Sequence, residues 1–286
     1  MAFPDPPFAE LAPAAAPTPV LVSSPHSGTV YPAELAALLR LAPDELRALE
    51  DGPLDRLAAA AARVGASALC ARYARAVVDL NRAPEELDPD LLDVVPAAGL
   101  VTSVRVKAGL GVIPSRLGTS PLWRRPLRPA EVAERLARAW WPYHRRLDAL
   151  LQERRARFGA VLLLDLHSMP TEVTLARGRR ALDVAVGDCH GRSCAPGLTA
   201  EVEAVLAAAG LCCARNQPYA GGYITETYGR PEEGRHALQL ELRRSLFMDE
   251  ASGAATGGLV ALEALLQELV GRLAAVLAPP LLRAAE

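Results

Sequence analysis

The chain has 286 residues, 51% of them hydrophobic and 22% charged, a composition that suits a globular protein with a sizeable buried core. Its 31 basic and 33 acidic residues are interspersed and leave a formal charge of -2, so no basic face for nucleic acid is indicated. The opening MAFPDPPFAELAPAAAP lacks the basic start and continuous apolar core of a signal peptide. The Ala-rich run at 57–62 is too short to cross a bilayer. A cytoplasmic protein with neither a membrane nor a nucleic-acid partner is expected, and nothing in the sequence fixes an oligomeric state.

Short apolar runs alternate with longer helix-like stretches, the pattern of an α/β fold with a mixed, mostly parallel sheet flanked by helices. Residues 1–17 read as an irregular N-terminal segment of a single domain spanning 1–286. VLVSS (20–24) is the first strand, ending in the turn PHSG. Between Pro43 and Gly65 two helical pieces are expected, broken at Gly52-Pro53, with the second starting near Pro53. SALCA (67–71) and AVVDL (76–80) are strand-like. Residues 97–127 carry repeated Gly and Pro and read as irregular covering structure.

The stretch from Pro129 to Gly159 is amphipathic and helical, with a kink expected at Pro142. AVLLLDL (160–166) is the clearest buried strand. Further strands are expected at 182–186, 211–215 and 236–242, and helices at 197–209 and 256–276. The five cysteines are odd in number, with two adjacent and no secretory signal before them, which favours reduced thiols. Cys189, His190 and Cys194 lack the second ligand pair that a structural zinc site needs.

Chemistry-bearing residues cluster where strands run out, the place at which open α/β sheets hold ligands. His26-Ser27 follows VLVSS, and Asp165-Leu166-His167-Ser168 follows AVLLL. A lone His after a strand is usually a hydrogen-bonded loop residue. Two of only five histidines in equivalent places shift the balance toward metal, since catalytic zinc takes three protein ligands and one water. Asp165 then reads as a partner that orients a ligand.

The acidic candidates for the third ligand are Asp51 and Asp55, four residues apart, and both read equally well as caps of the helix that follows. Glu241 interrupts an apolar strand. It is either paired with Arg243 on the same face or a general base. Asn81-Arg82 offers a directional amide and a planar fork for a carboxylate, although a surface Arg is common.

Taken in order, SSPHSGTVYP, ASALCARYARAVVDLNR, LLLDLHSMP, AVGDCHGRSC, NQPYAGGYITETYGRP and ALQLELRRSLFMDE resemble the N-formylglutamate amidohydrolase family, with a more distant likeness to zinc carboxypeptidases. The resemblance implies a zinc carboxypeptidase-like fold and one catalytic Zn2+ held by His26, His167 and an aspartate. Alignment through RLAAAAARVGAS puts Asp51 in that place, with Gly52 where the family pattern has Trp. It further implies Glu241 as general base and Asn81 and Arg82 as carboxylate anchors, while Arg75, in the YAR segment just before AVVDL, is a candidate to stabilise the tetrahedral oxyanion at the metal. The implied substrate is a small N-acyl amino acid with a free carboxylate, foremost N-formyl-L-glutamate, cleaved to formate and L-glutamate. Glu226 and Thr227 depart from the family pattern in a way that bears on substrate identity. Two other readings are an amidase or carboxypeptidase-like hydrolase of another N-acyl amino acid or small peptide, and a non-catalytic ligand-binding relative.

Overall fold

In a computed structural model describing residues 6–96, 98–174 and 181–278, the apolar runs become a seven-stranded sheet. Its strands are β1 (Phe8–Leu11), β2 (Val20–Ser24), β3 (Ser67–Ala71), β6 (Val161–Met169), β7 (Val184–Gly187), β8 (Cys213–Arg215) and β9 (Arg235–Arg243). A separate two-stranded hairpin pairs β4 (Arg116–Leu117) with β5 (Ser120–Pro121). The order across the large sheet is β1-β3-β2-β6-β9-β7-β8. The β2–β6, β6–β9 and β7–β8 pairs are parallel and β7–β9 is antiparallel, which is the mixed, mostly parallel arrangement expected.

The central strands are buried along their whole length because both faces are covered. On one face Leu166, Leu240 and Leu242 meet Leu57, Leu206, Leu262, Leu266 and Leu269 around a small apolar space. These leucines come from the helices Leu54–Arg63, Pro196–Ala208 and Gly258–Leu277. The opposite face of β6 and β9 carries Asp165, His167, Gln239 and Glu241, set by the two-residue period.

By its contacts the chain falls into two compact units, each assembled from several stretches. One unit comprises residues 10–24, 51–69 and 147–286 and holds most of the sheet with the three helices just named. The other comprises 1–9, 25–50 and 70–146 and is built largely from short helical turns, the β4–β5 hairpin and ordered loops. In that second unit Leu80, Val112, Ile113, Leu122, Leu127, Trp140 and Tyr143 form a buried apolar centre. Among the described residues no helix is long and apolar enough to cross a membrane.

Three local expectations need correction. Residues 8–11, expected within an irregular segment, form β1, while residues 1–5 of that segment lie outside the described residues, as does Ala97 of the 97–127 stretch. AVVDL is buried but is not a strand. Its backbone is satisfied by a turn and a loop, with Val77 N–H donating to Ala74 O and Asp79 N–H to Val112 O. The irregularity near Pro142 is a π-helical turn, Leu136–Trp140, joining the α-helical stretches Pro129–Arg135 and Trp141–Phe158. Proline removes one backbone donor, and a shifted hydrogen-bond pattern just before it accommodates that loss. The broken helix at Gly52-Pro53 is as expected, with a four-residue helix at Pro43–Leu46 and a ten-residue one at Leu54–Arg63.

Candidate metal centre

In the unit containing residues 25–50 and 70–146, the PHSG turn lies directly against the chain at Tyr73. A Cβ on Gly28 would sit 2.1 Å from Tyr73 O, so only glycine fits there. This places His26 beside Asp79, whose carboxylate is fully buried. His26 Nε2 donates to Asp79 Oδ1 at 2.7 Å, and Arg75 Nε donates to Asp79 Oδ2 at 2.7 Å. The Asn81 N–H adds a third hydrogen bond at 2.8 Å to Oδ1, and Arg82 Nε lies 3.9 Å from Oδ2. Burial works against charge on Asp79, yet Arg75, His26 and Arg82 together hold its pKa well below the usual range.

Arg82 is buried and directed by Leu110 O and Asn81 O, which accept from its Nε and Nη1 at 2.9 and 2.7 Å. Burial pulls its pKa down to about 10, against the opposing pull of Asp79. Behind it, Trp140 Nε1 donates to Arg82 O at 2.9 Å, and His144 Nε2 donates to Leu80 O at 2.9 Å. The Asp79–Arg82 segment is thus pinned from both side chains and backbone.

In the other unit, β6 continues three residues past the expected end, so His167 and Ser168 are strand residues. Asp165 and His167 share a face, and His167 Nε2 donates to Asp165 Oδ2 at 2.9 Å. The other ring nitrogen, Nδ1, is 3.0 Å from Asp51 Oδ2. Burial alone would lower the imidazolium pKa, but the carboxylates of Asp165, Asp51 and Glu241 outweigh it and raise the pKa well above its usual value. Asp51 stands before the helix rather than in it. Gly52 takes a left-handed φ of 73°, which turns the chain from Asp51 into Pro53 and the helix at Leu54. The N-cap of that helix is Pro53, which makes no side-chain capping hydrogen bond. Asp55 is exposed on its first turn.

His26, Asp51 and His167 each offer one ligand atom, and each residue is at most 3% exposed. The chemistry of the set suits a divalent metal. Each imidazole has its Nε2 bonded to a buried aspartate, so when neutral it keeps its proton on Nε2 and can offer Nδ1 to a metal. Two such nitrogens with one carboxylate oxygen make the two-His, one-acid set typical of catalytic zinc. His26 in one unit and Asp51 and His167 in the other are thus candidate metal ligands.

Glu241 is the register partner of His167 on the neighbouring parallel strand, so the two side chains stand side by side on one face. Its Oε1 accepts from Gln239 Nε2 at 2.7 Å. The alternative partner, Arg243, instead donates to Asp183 at 2.6 Å, so the Glu241–Arg243 ion pair does not form. The role of Asp79 as the partner of His26 was not anticipated, and neither was Arg244, which reaches Ser168 and Asp51. An acid at the end of an apolar run, two residues before Asn81, was the only available sign of the first. All five cysteines are free, as expected.

Residues 18–248 match the model of a family described as N-formylglutamate amidohydrolase. The chain is 39% identical over 239 residues to the N-formylglutamate deformylase of Pseudomonas aeruginosa, covering 81% of this chain and 83% of that protein. It is 34% identical over 239 residues to the enzyme of the same name from Pseudomonas putida, covering 81% and 82%. A solved structure of N-formylglutamate amidohydrolase from Ralstonia eutropha JMP134 superimposes with a TM-score of 0.89 at 36% identity, covering 95% of this chain and 98% of that one. The chain belongs to the N-formylglutamate amidohydrolase family.

Proposed function

We propose that this protein hydrolyses the formyl amide of N-formyl-L-glutamate, releasing formate and L-glutamate, with zinc as its cofactor. The observation that carries this reading is the pair of buried strand-end imidazoles, His26 and His167, each held through Nε2 by a buried aspartate, with Asp51 beside His167. The names of the relatives supply the substrate. Zinc, when bound, polarises the scissile carbonyl and makes a neighbouring water acidic.

The remaining work falls to the chain's own residues. Glu241, beside His167, takes the proton of the attacking water as its oxygen bonds to the formyl carbon. It returns that proton to the departing nitrogen as the C–N bond breaks. Gln239 Nε2 donates to Glu241 Oε1 and so orients the carboxylate. Arg82 and Asn81 take a carboxylate of the substrate, and the pinning of this segment by Trp140 and His144 keeps their positions fixed. Arg75 is the proposed cation facing the developing oxyanion, steadied by Asp79.

The test is formate release from a panel of N-formyl, N-acetyl and dipeptide substrates, measured on metal-replete and chelator-stripped protein. Preferred turnover of N-formylglutamate that vanishes on stripping and returns with zinc is the expected result. Turnover undiminished by stripping would remove zinc from the reading. Preference for another acyl group or a peptide would replace the substrate.

A further inference from the structure

Asp51 is seated by the segment that leaves β9. Ser168 Oγ donates to Asp51 Oδ1 at 3.2 Å, and Arg244 Nε donates to Ser168 Oγ at 3.0 Å. Arg244 Nη2 lies 3.7 Å from the same Oδ1. All three residues are buried, at 2% exposure for Asp51, 6% for Ser168 and 8% for Arg244. The polarity of this chain is determined: a guanidinium can only donate, so Ser168 must accept from it and spend its own proton on Asp51. Oδ1 is thereby committed, while Oδ2 is left facing Nδ1 of His167 at 3.0 Å.

A second contact from the same segment acts on the next residue. Met248, four residues past Arg244, packs so closely on Gly52 that a Cβ there would meet its Sδ at 2.6 Å. Backbone hydrogen bonds from Phe247 and Met248 N–H to Arg244 O hold the segment in one turn. The carboxylate and the backbone bend of Asp51-Gly52 are therefore gripped together by residues 244–248, immediately beyond the strand that carries Glu241.

We propose that Ser168 and Arg244 are positioning residues that hold Asp51 as a one-oxygen metal ligand, with Oδ2 presented and Oδ1 withheld. This rests on the metal reading of Asp51. Partners that orient a ligating group typically govern metal affinity by about 10- to 100-fold. A freely rotating Asp51 would lose that advantage even with His26 and His167 intact. Arg244→Lys keeps a charge but has no Nε–H at the position that aligns Ser168, so it should not substitute for arginine.

The test is zinc affinity by competition with a chromogenic chelator, alongside the zinc release rate, for wild type, Ser168→Ala, Arg244→Lys, Arg244→Met and the Ser168→Ala/Arg244→Met double variant. Urea unfolding of each metal-free protein checks that it folds. Expected are one zinc per wild-type chain, dissociation constants about 10- to 100-fold weaker in the single variants, and a double variant no weaker than Arg244→Met alone. That last result distinguishes a relay from two independent contacts. Exposed Arg138→Met should leave affinity unchanged. A wild type that takes up no zinc overturns the metal reading and this proposal with it. A wild type that binds one zinc, with Ser168→Ala and the Arg244 variants matching its affinity, overturns this proposal alone. Should the Arg244 variants fail to fold, Ser168→Ala, which removes one hydroxyl, decides the matter by itself.

Discussion

His144 should make the unit that carries His26 and Arg82 sensitive to acid. The ring is enclosed beside Trp140, with ring centroids 3.9 Å apart, and its Nε2–H is spent on Leu80 O. Burial lowers its pKa from the usual 6.5 to about 3, partly offset by the bond to Leu80. A base whose folded pKa lies below its unfolded one binds fewer protons when folded, so acidification favours the unfolded chain. The loss begins as pH falls below 6.5 and is complete near pH 3. At about 1.4 kcal/mol per pH unit, roughly 2 kcal/mol should be lost by pH 5.

His144→Gln removes the titration while keeping an N–H that can reach a carbonyl. At pH 8 this variant should be the less stable, by about 1–2 kcal/mol, through lost packing on Trp140. Near pH 5 the difference should close, because only the wild type carries the histidine penalty. Urea unfolding of both chains, metal-free, at pH 8, 6.5 and 5 measures the difference. The carboxylates common to both chains cancel in it. A stability gap that stays constant between pH 8 and pH 5 would refute the reasoning, since it would mean that His144 titrates alike in the folded and unfolded chains.

Glu241→Gln should retain zinc at wild-type stoichiometry while kcat for formate release falls by a factor of about 100 to 10,000, the range typical for loss of a general base; metal analysis and initial rates on the same sample check both. Asp51→Ala should abolish tight zinc binding and Asp55→Ala should leave it intact, because Asp55 is exposed on the helix and outside the ligand group; equilibrium dialysis separates the two. Gly52→Ala should destabilise the fold by about 1–2 kcal/mol through its left-handed φ of 73° alone. The close approach of Met248 Sδ adds to that cost, and the double variant Gly52→Ala/Met248→Ala should recover the steric part in a denaturant titration.

Much of the sheet was readable because burial on two faces writes itself as unbroken apolar runs, as in VLV of β2 and VLLL of β6. AVVDL carries the same signature and is not a strand. Apolar character reports burial, whereas a strand also needs a partner for its backbone, and here Val112 O and a local turn supply the hydrogen bonds instead. The choice between Asp51 and Asp55 was equally beyond periodicity. A four-residue spacing places two side chains together only on a continuous helix, and the left-handed turn at Gly52 takes Asp51 out of that helix.

The two imidazoles show most clearly where legibility stops. Both have the same wiring, with Nε2 on a buried aspartate. For His167 the aspartate is two residues away on one strand face, so alternation alone predicts the contact, and Asp165 was readable as its partner. For His26 the aspartate is 53 residues away, brought in by a glycine that lets the PHSG turn press on Tyr73. No local period encodes that approach. The same requirement, an imidazole ring held in one orientation by a buried aspartate, is therefore met once by strand geometry and once by tertiary packing. The relay from Arg244 through Ser168 to Asp51 is of the second kind, joining residues 76 and 117 positions apart. Side chains that bind are conspicuous in a sequence for their chemical type. Those that aim them are ordinary residues whose role exists only after the chain has closed on itself.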